Sequence, residues 1–251
     1  MKVVLTATVV PESPAIRLGN QRHRRTLLPM QLSLMSLTLV LALTAFCQAA
    51  EPAAAKAAPV PLVFLTGSEL KDWKVVEEMK QHGPVTLKDG VLALGIGQPM
   101  TGVVYTGKAE LPVKDYEVSF EARRIEGDDF FAALTVPVRN AESFVTFVIG
   151  GWGGTCVGIS CIQFQSADEN QTTNWIEFEM KKWYRFRMQV RDNRLKGFVD
   201  DKEIFDADTT DKKLSLRFGE IEYCKPLGLA TFRTQGEIKN LTIKPLAPEA
   251  K

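Results

Sequence analysis

The chain has 251 residues, of which 45% are hydrophobic and 24% are charged, and its formal net charge is +1. These values are typical of a globular protein rather than of a disordered or fibrous one. They include no basic excess that would attract nucleic acid or an anionic membrane surface, so we expect neither as a partner.

The beginning of the chain reads as an export segment followed by a tether. Basic residues over 22–25 precede an apolar run over 27–46, and small residues follow. This order predicts a signal peptide over residues 1–49 and a secreted, periplasmic or cell-envelope location in a bacterium. A single membrane anchor is the alternative, which Pro29 and the interspersed Ser and Thr residues disfavour. The Ala- and Pro-rich residues 50–61 predict a tether, and residues 62–251 predict one domain without a membrane span.

The residue types of this predicted domain exclude several kinds of site. It retains one histidine, His82, and three cysteines, Cys156, Cys161 and Cys224. The domain therefore has too few His and Cys residues for a His-rich zinc site or a Cys₄ site, and little basis for a Ser-His-Asp triad. We expect no metal or cofactor, with calcium left open. One disulfide fits an oxidising compartment, but three pairings are open. Hydrolytic chemistry would have to depend on carboxylates.

In chain order, the first candidate element is a short helix over Ser68–Gln81, after which period-2 alternation dominates. Residues 85–94 predict two short strands around an Asp89-Gly90 turn. Longer strands are predicted over residues 116–123, 130–138 and 144–149. In the first of these, Tyr116, Val118 and Phe120 share one face.

The second half of the chain continues the β pattern. Residues 183–191 alternate between an apolar face and a polar face that carries Arg185, Arg187, Gln189 and Arg191. We interpret the polar face as solvated, with an arginine that holds a sugar group as the alternative. Further strands are predicted over residues 195–199, 203–205, 227–234 and 237–243. Many short strands separated by turns predict an all-β fold, a two-sheet antiparallel jelly-roll sandwich.

Several stretches carry a family resemblance. The run "WYRFRMQVRDNRLKGFVDDKEIFD" resembles a hairpin of concanavalin A-like lectin and glucanase domains. The runs "DYEVSFEARRIEGDDFFAALTVPV", "VIGGWGGTCVGIS", "DENQTT" and "KPLGLATFRTQGEIKNLTI" are similar to a secreted bacterial branch of the 3-keto-disaccharide hydrolase-like domain family. The similarity spans roughly Gly83–Pro245. It implies a jelly-roll sandwich with a carbohydrate-sized groove on one sheet.

The chain departs from that family where acidic residues are expected. In the wider family the strand after the second turn carries them, whereas residues 144–151 here hold no carboxylate. The asparagine, serine and glycine expected in the preceding strand are replaced over residues 131–135. Three functions therefore stay open: a glycoside hydrolase of the 3-keto-disaccharide hydrolase-like type, a non-catalytic carbohydrate-binding module, and an envelope structural or interaction domain. The sequence leaves the oligomeric state open.

The stretch "GGWGG" over residues 150–154 is the clearest candidate for a sugar platform. An indole ring stacks well on the C–H face of a sugar, and small neighbours would let the ligand reach it. This hypothesis assigns Trp152, Gly151 and Gly153 to substrate binding. The alternative is a tight corner that requires glycine, with Trp152 turned into the core.

Candidate catalytic carboxylates occur in two turns. Asp129 follows Asp128 in "EGDDFF", and we predict a catalytic pair of Asp129 with Glu169, with Glu121 as the other possible partner. Ordinary turn chemistry is the alternative for both aspartates, and no regular calcium-loop spacing surrounds them. Glu177 and Glu179 in "WIEFEM" are predicted to lie on the solvated face of a strand.

Three polar residues complete the predicted groove. Asn170 and Thr172 lie in a polar loop and offer hydrogen bonds to sugar hydroxyls. Arg233 closes the run "PLGLATFRT" and is predicted to line the same groove, with pairing at a strand end as the alternative. Together these residues predict carbohydrate as the partner.

Overall fold

The computed structural model describes residues 60–247. The predicted signal peptide and all but two residues of the predicted tether lie outside the described residues. Within residues 60–247, no helix is long and apolar enough to cross a membrane.

The described residues form fifteen strands in two antiparallel sheets. The strands of the first half are β1 Leu62–Val63, β2 Trp73–Val75, β3 Val85–Lys88, β4 Val91–Leu94, β5 Met100–Tyr105, β6 Tyr116–Gly127, β7 Ala132–Val138 and β8 Asn140–Gly150. Those of the second half are β9 Cys156–Ser160, β10 Asn174–Trp175, β11 Tyr184–Val190, β12 Arg194–Val199, β13 Lys202–Asp208, β14 Gly228–Phe232 and β15 Thr234–Pro245. A four-residue helical turn spans Gly151–Gly154, and a 3₁₀ helix spans Glu220–Cys224.

The sheets pack face to face as the predicted jelly-roll sandwich. The eight-stranded sheet has the order β13-β12-β11-β6-β15-β4-β3, with β1 paired to β15. The seven-stranded sheet has the order β10-β9-β8-β7-β14-β5-β2. Because strands distant in the chain pair within both sheets, β6 and β15 lie at the centre of one and β7 and β14 at the centre of the other.

The core lies between the two inner faces. As the alternation predicts, Tyr116, Val118 and Phe120 of β6 are buried there, opposite apolar residues of the other sheet such as Leu134 and Phe147. The Tyr116 hydroxyl donates a 2.6 Å hydrogen bond to the carbonyl of Pro137, and burial raises the pKa of Tyr116 well above its usual value. This buried hydroxyl thus has a hydrogen-bond partner, as most buried polar groups do.

The outer face of the seven-stranded sheet is partly covered. The connection from β13 to β14 crosses it, because residues 161–163 exchange backbone hydrogen bonds with residues 213–215. Farther along, Ile221 and Cys224 of the 3₁₀ helix pack on Ala133 and Ala230. All seven residues of β7 are therefore buried, on both faces of the sheet. We call this crossing segment, residues 213–225, the strap.

The predicted strands over residues 85–94 and 144–149 are confirmed. Asp89 and Gly90 both have positive φ, 50° and 78°, the pattern of a type I′ hairpin turn. Strand β8 begins at Asn140, earlier than predicted, because the chain reverses tightly at Arg139, whose φ is 62°. The predicted strand over "WIEFEM" is wrong, since β10 ends at Trp175, and Glu177 and Glu179 are exposed on an irregular segment.

The predicted helix over residues 68–81 is wrong as well. Trp73, Val76 and Met79 are buried at three-residue spacing, which looks helical in the sequence. In the structure, Trp73–Val75 forms strand β2, and turns closed by hydrogen bonds such as Met79 N–H to the Val76 carbonyl follow it. Pairing of β2 with β5 satisfies backbone groups that a helix would have satisfied internally.

Candidate functional site

A cavity of about 430 Å³ opens on the outer face of the seven-stranded sheet. Strands β7, β8, β9 and β14 supply its floor, and loops and the strap supply its walls. Its lining is mostly apolar and consists of Pro99, Met100, Asp129, Phe130, Ala133, Thr146, Val148, Trp152, Ser160, Arg217, Phe218, Gly219, Glu220, Ile221 and Phe232. A concave, largely apolar site with a few polar groups is what a small-molecule or sugar ligand requires.

Asp129 lines this cavity from the loop between β6 and β7. Its carboxylate accepts a 2.7 Å hydrogen bond from the backbone N–H of Phe130 and further bonds from the N–H groups of Trp152 and Gly153. Burial raises the pKa of the Asp129 carboxyl, and the neighbouring charge of Asp128 adds to this effect. The backbone donors lower the pKa but do not outweigh burial. Asp129 is therefore suited to hold a proton inside the cavity.

Glu220 brings a second carboxylate to the same cavity. It is the first residue of the 3₁₀ helix, and its Oε2 atom is buried without a hydrogen-bond partner among the described residues. A buried oxygen without a partner costs free energy, about 1–3 kcal/mol for a polar group. Such a group is expected where a ligand supplies the missing partner.

Trp152 forms one wall of the cavity. The indole is half-buried and packs against Val148, Cys156 and Ala167. The guanidinium carbon of Arg217 lies 5.6 Å from the indole ring centroid. Trp152 itself has a φ of 49°, so its place in the cavity wall comes with some backbone strain.

The glycines around Trp152 serve the tight corner. Gly150, Gly153 and Gly154 have φ values of 76°, 85° and 94°, which favour glycine. A Cβ atom on Gly154 would lie 2.2 Å from Nη1 of Arg124, so a side chain here would displace the guanidinium group. The corner and the platform are therefore compatible, because the glycines shape a turn that brings Trp152 to the cavity.

Arg124 holds this corner from the inside. It is buried, and its Nη2 atom donates 3.2 Å hydrogen bonds to the carbonyls of Gly154 and Phe178. Burial lowers the pKa of Arg124, while Asp128, Tyr184 and Asp129 raise it in part. A cation bound to the last carbonyl of the turn fixes the position of the Trp152 loop.

The other predicted binding residues lie at different places. Gly151 is buried beside Asp129, and Gly153 is exposed at the tip of the corner. Arg233 is exposed, and its guanidinium carbon lies 5.4 Å from the ring centroid of Phe232, at the margin of the cavity.

The loop with Glu169, Asn170 and Thr172 does not line the cavity. Thr172 is fully buried, and its hydroxyl accepts a 2.8 Å hydrogen bond from the N–H of Ile159. The Asn170 amide donates 2.7 Å bonds to the carbonyls of Ile159 and Ser166. Glu169 is exposed on the same loop. Asn170 and Thr172 thus fasten this loop to β9, and the second carboxylate that lines the cavity with Asp129 is Glu220 rather than Glu169.

Sequence reasoning missed the contributions of the strap. Arg217, Phe218 and Glu220 all line the cavity, yet they stand in a stretch without strand alternation. The available signal was "RFGE", in which an apolar residue and a glycine separate two charges outside any strand.

The described residues show neither a metal centre nor a disulfide. No group of three or more His, Cys, Asp or Glu side chains within residues 60–247 is arranged to hold a metal ion. Cys156, Cys161 and Cys224 are all buried and free. Burial raises the pKa of both Cys156 and Cys224 to about 12, so these thiols are protonated and unreactive at neutral pH.

Comparison with known proteins yields similar folds only. No family model and no curated protein matches the chain. A carbohydrate-binding module, CBM66 from Bacillus subtilis, is 12% identical with a TM-score of 0.45, and the alignment covers 69% of this chain and 95% of the module. A laminarinase from Flavobacterium sp. UMI-01 is 10% identical with a TM-score of 0.48, over 74% of this chain and 99% of the enzyme. The apo Crh5 transglycosylase is 10% identical with a TM-score of 0.48, over 77% and 87% of the two chains. At these identities the likeness is one of fold.

Proposed function

We propose that this protein is a carbohydrate-directed enzyme that hydrolyses a glycosidic bond in the cavity beside Trp152. The observation that carries the proposal is that Asp129, Glu220 and Trp152 line one cavity. Two carboxylates and an aromatic platform in one cleft are the parts that glycoside hydrolysis needs.

The binding half of the proposal rests on the lining. A sugar ring offers an apolar C–H face, which fits Trp152 and the apolar side chains of Phe130 and Phe232. Its hydroxyls require polar partners, and the hydroxyls of Thr146 and Ser160 lie on the cavity floor. Such a mixture orients a sugar as well as binding it.

The catalytic half assigns different roles to the two carboxylates. Burial raises the pKa of Asp129, so Asp129 is the general acid that protonates the glycosidic oxygen. Glu220 is the second carboxylate, and it assists the attack of water at the anomeric carbon. The buried Oε2 atom of Glu220 has no hydrogen-bond partner among the described residues, and in this proposal the bound substrate supplies one.

We also propose a first substrate class and a place of action. The sequence resemblance makes 3-keto glycosides the first substrates to test. The export pattern over residues 1–49 makes the proposed place of action outside the cytoplasm.

A non-catalytic carbohydrate-binding module is the second candidate. The specific observation in its favour is that β8, Asn140–Gly150, carries only one carboxylate, Glu142, and that residue does not line the cavity. A binder needs the platform and the hydroxyl partners but neither carboxylate in a defined ionisation state.

The two candidates are separated by one experiment on four proteins. Wild type, Trp152→Ala, Asp129→Asn and Glu220→Gln are mixed with a panel of disaccharides, 3-keto glycosides and oligosaccharides, and binding and product release are measured together. An enzyme loses product release in both carboxylate variants and binding in Trp152→Ala. A binder shows saturable binding that depends on Trp152 and no product from wild type. Absence of binding and of product across the panel rejects both.

A further inference from the structure

We infer that the binding site continues beyond this cavity onto a second aromatic platform, Phe164, so that the preferred ligand is an oligosaccharide chain rather than a single sugar or disaccharide. This inference rests on the proposed function, because it extends the same site. The observations that carry it are a second cavity, an unusual turn and the residues that both cavities share.

The second cavity adjoins the first on the same face of the seven-stranded sheet. It has a volume of about 800 Å³, and Phe144, Phe164, Lys213 and Glu222 are among its lining residues. Arg217 and Phe218 of the strap line both cavities. In this proposal, a chain-like ligand passes over these two shared residues from one cavity to the other.

Phe164 is held outward by a strained turn. Gln163 and Phe164 have φ values of 51° and 65°, and Ile162 and Gln165 exchange backbone hydrogen bonds of 3.1 and 2.9 Å. These features define a two-residue hairpin turn of the type I′ pattern, which strongly favours glycine or asparagine. A phenylalanine there costs backbone energy, and its side chain is 71% exposed. The ring therefore contributes little to the core and is presented at the second cavity, which it lines.

The surroundings of Phe164 fit a sugar. Lys213 lies over the ring, with its Nζ atom 4.4 Å from the centroid, and 71% exposure leaves the remaining surface to a ligand. The Lys213 N–H donates a 2.7 Å hydrogen bond to Oε1 of Gln163, which ties the turn to the strap. An aromatic ring beside a cation and the hydroxyls of Ser143 and Ser166 offers both stacking and hydrogen bonds to one sugar unit. Phe218, 96% exposed between the cavities, offers an apolar contact for the units in between.

Chain length is the readout of a second platform. Linked sugar units that occupy both cavities bind more tightly than one unit, because the second contact is intramolecular. The test uses ladders of gluco-, manno-, xylo- and chito-oligosaccharides from disaccharide to hexasaccharide, with the full chain and calorimetric affinities. We expect wild-type affinity for one ladder to rise about tenfold or more from disaccharide to hexasaccharide.

The variant Phe164→Gly sharpens this test because glycine suits the turn. We expect it to keep or raise the thermal midpoint and to lose the gain with chain length, while its disaccharide affinity equals that of wild type. Trp175→Ala is the matched control, since Trp175 is also exposed but lines neither cavity, and it should keep the length dependence.

Each outcome of these measurements supports or overturns the second platform. A length dependence that Phe164→Gly retains, or wild-type affinity that does not change with length, overturns the second platform while Trp152-dependent binding still supports the proposed function. Failure of all four ladders to bind overturns the second platform, whereas the proposed function is rejected only if the panel with the 3-keto glycosides fails as well.

Discussion

The outer faces of the two sheets differ in whether their buried carboxylates have partners within the protein. On the eight-stranded sheet, Glu117 is almost fully buried, yet Lys244 and Arg187 pair with it at 2.8 and 3.1 Å, and Gln189 donates a further bond of 2.9 Å. Over the seven-stranded sheet, Glu220 of the strap has a buried oxygen without a hydrogen-bond partner among the described residues. Within one fold, one face completes its own ion pairs, and the other leaves groups available to a ligand.

The tryptophans of the two faces differ in the same way. On the eight-stranded sheet, Arg123 and Lys239 both lie over the Trp183 ring, at 4.6 and 4.2 Å from its centroid. Among the described residues a single cation, Arg217, lies over Trp152, so one face of this ring stays open to the cavity that it borders. An aromatic ring alone is therefore no sign of a sugar site, and what occupies its faces decides its role.

The largest expected effect is on the rate of hydrolysis, which should depend on the carboxylates of one face and not on that of the other. Asp129→Asn and Glu220→Gln should each reduce hydrolysis about 10³-fold, because loss of a general acid or of its partner costs 10²–10⁴-fold. Glu117→Gln should leave the rate per folded molecule unchanged, since Glu117 lies on the opposite sheet. Initial rates on the best substrate check this, and a rate loss shared by Glu117→Gln would break the comparison.

The reverse pattern is expected in stability. Glu117→Gln removes the charge of a buried carboxylate and leaves Arg187 and Lys244 without their counter-ion, which should lower the free energy of unfolding by about 2 kcal/mol, less than for a fully buried pair because Lys244 is half-exposed. Urea unfolding measures this difference. Glu220→Gln is the control and should change the unfolding free energy by less than about 1 kcal/mol, because its buried oxygen has no ion pair to lose.

The glycine corner allows a comparison of neighbouring positions. In Gly154→Ala the new Cβ meets Arg124 and the positive φ of 94° opposes it as well, so we expect a loss of about 2 kcal/mol in stability together with weaker sugar binding as Trp152 shifts. In Gly153→Ala the Cβ meets open space, and only the positive φ opposes it, at about 1 kcal/mol. Equal losses of sugar affinity in both variants would contradict the role of Arg124 in fixing this loop.

The pH dependence should have opposite signs on the two faces. The pKa of Asp129 is raised by burial, so its protonation contributes stability below about pH 3.9, the unfolded value, and this contribution is lost as the pH rises through the folded pKa. Burial alone would raise the pKa of Glu117, but its bonds to Lys244, Gln189 and Arg187 lower it overall. Its contribution is present above about pH 4.3 and is lost as the pH falls through the folded pKa.

This difference in pH dependence is the smallest of the expected effects, and it is measured as the slope of the unfolding free energy against pH. Relative to wild type, Asp129→Asn should gain stability as the pH rises from about 4, whereas the deficit of Glu117→Gln should shrink as the pH falls below about 4. Parallel pH profiles of the two variants would show that the two carboxylates do not differ in environment.

The strands could be predicted from the sequence because one side of most of them faces the core. Residues such as Tyr116, Val118 and Phe120 alternate with polar residues, so period 2 reveals them. The strand predicted over "WIEFEM" and the helix predicted over residues 68–81 are both wrong. In both stretches, turns bury apolar residues at a short regular spacing without forming a strand or a helix.

The cavity could be predicted only in part. Asp129 and Trp152 stand out by their neighbours in the sequence, as "GDD" and "GGWGG", and both line it. Glu220 reaches the site through the strap, which crosses the sheet by contacts between residues about fifty positions apart. Such long-range contacts leave no periodic trace, so Glu220 could not be paired with Asp129 from the sequence.

The most direct test is a crystal structure of Glu220→Gln with the tightest-binding glycan of the panel. We expect a sugar ring against Trp152, its glycosidic oxygen near Asp129, and no sugar on the eight-stranded sheet. A sugar bound instead beside Trp183 on that sheet, or a cavity that stays empty while the glycan binds elsewhere, would contradict it.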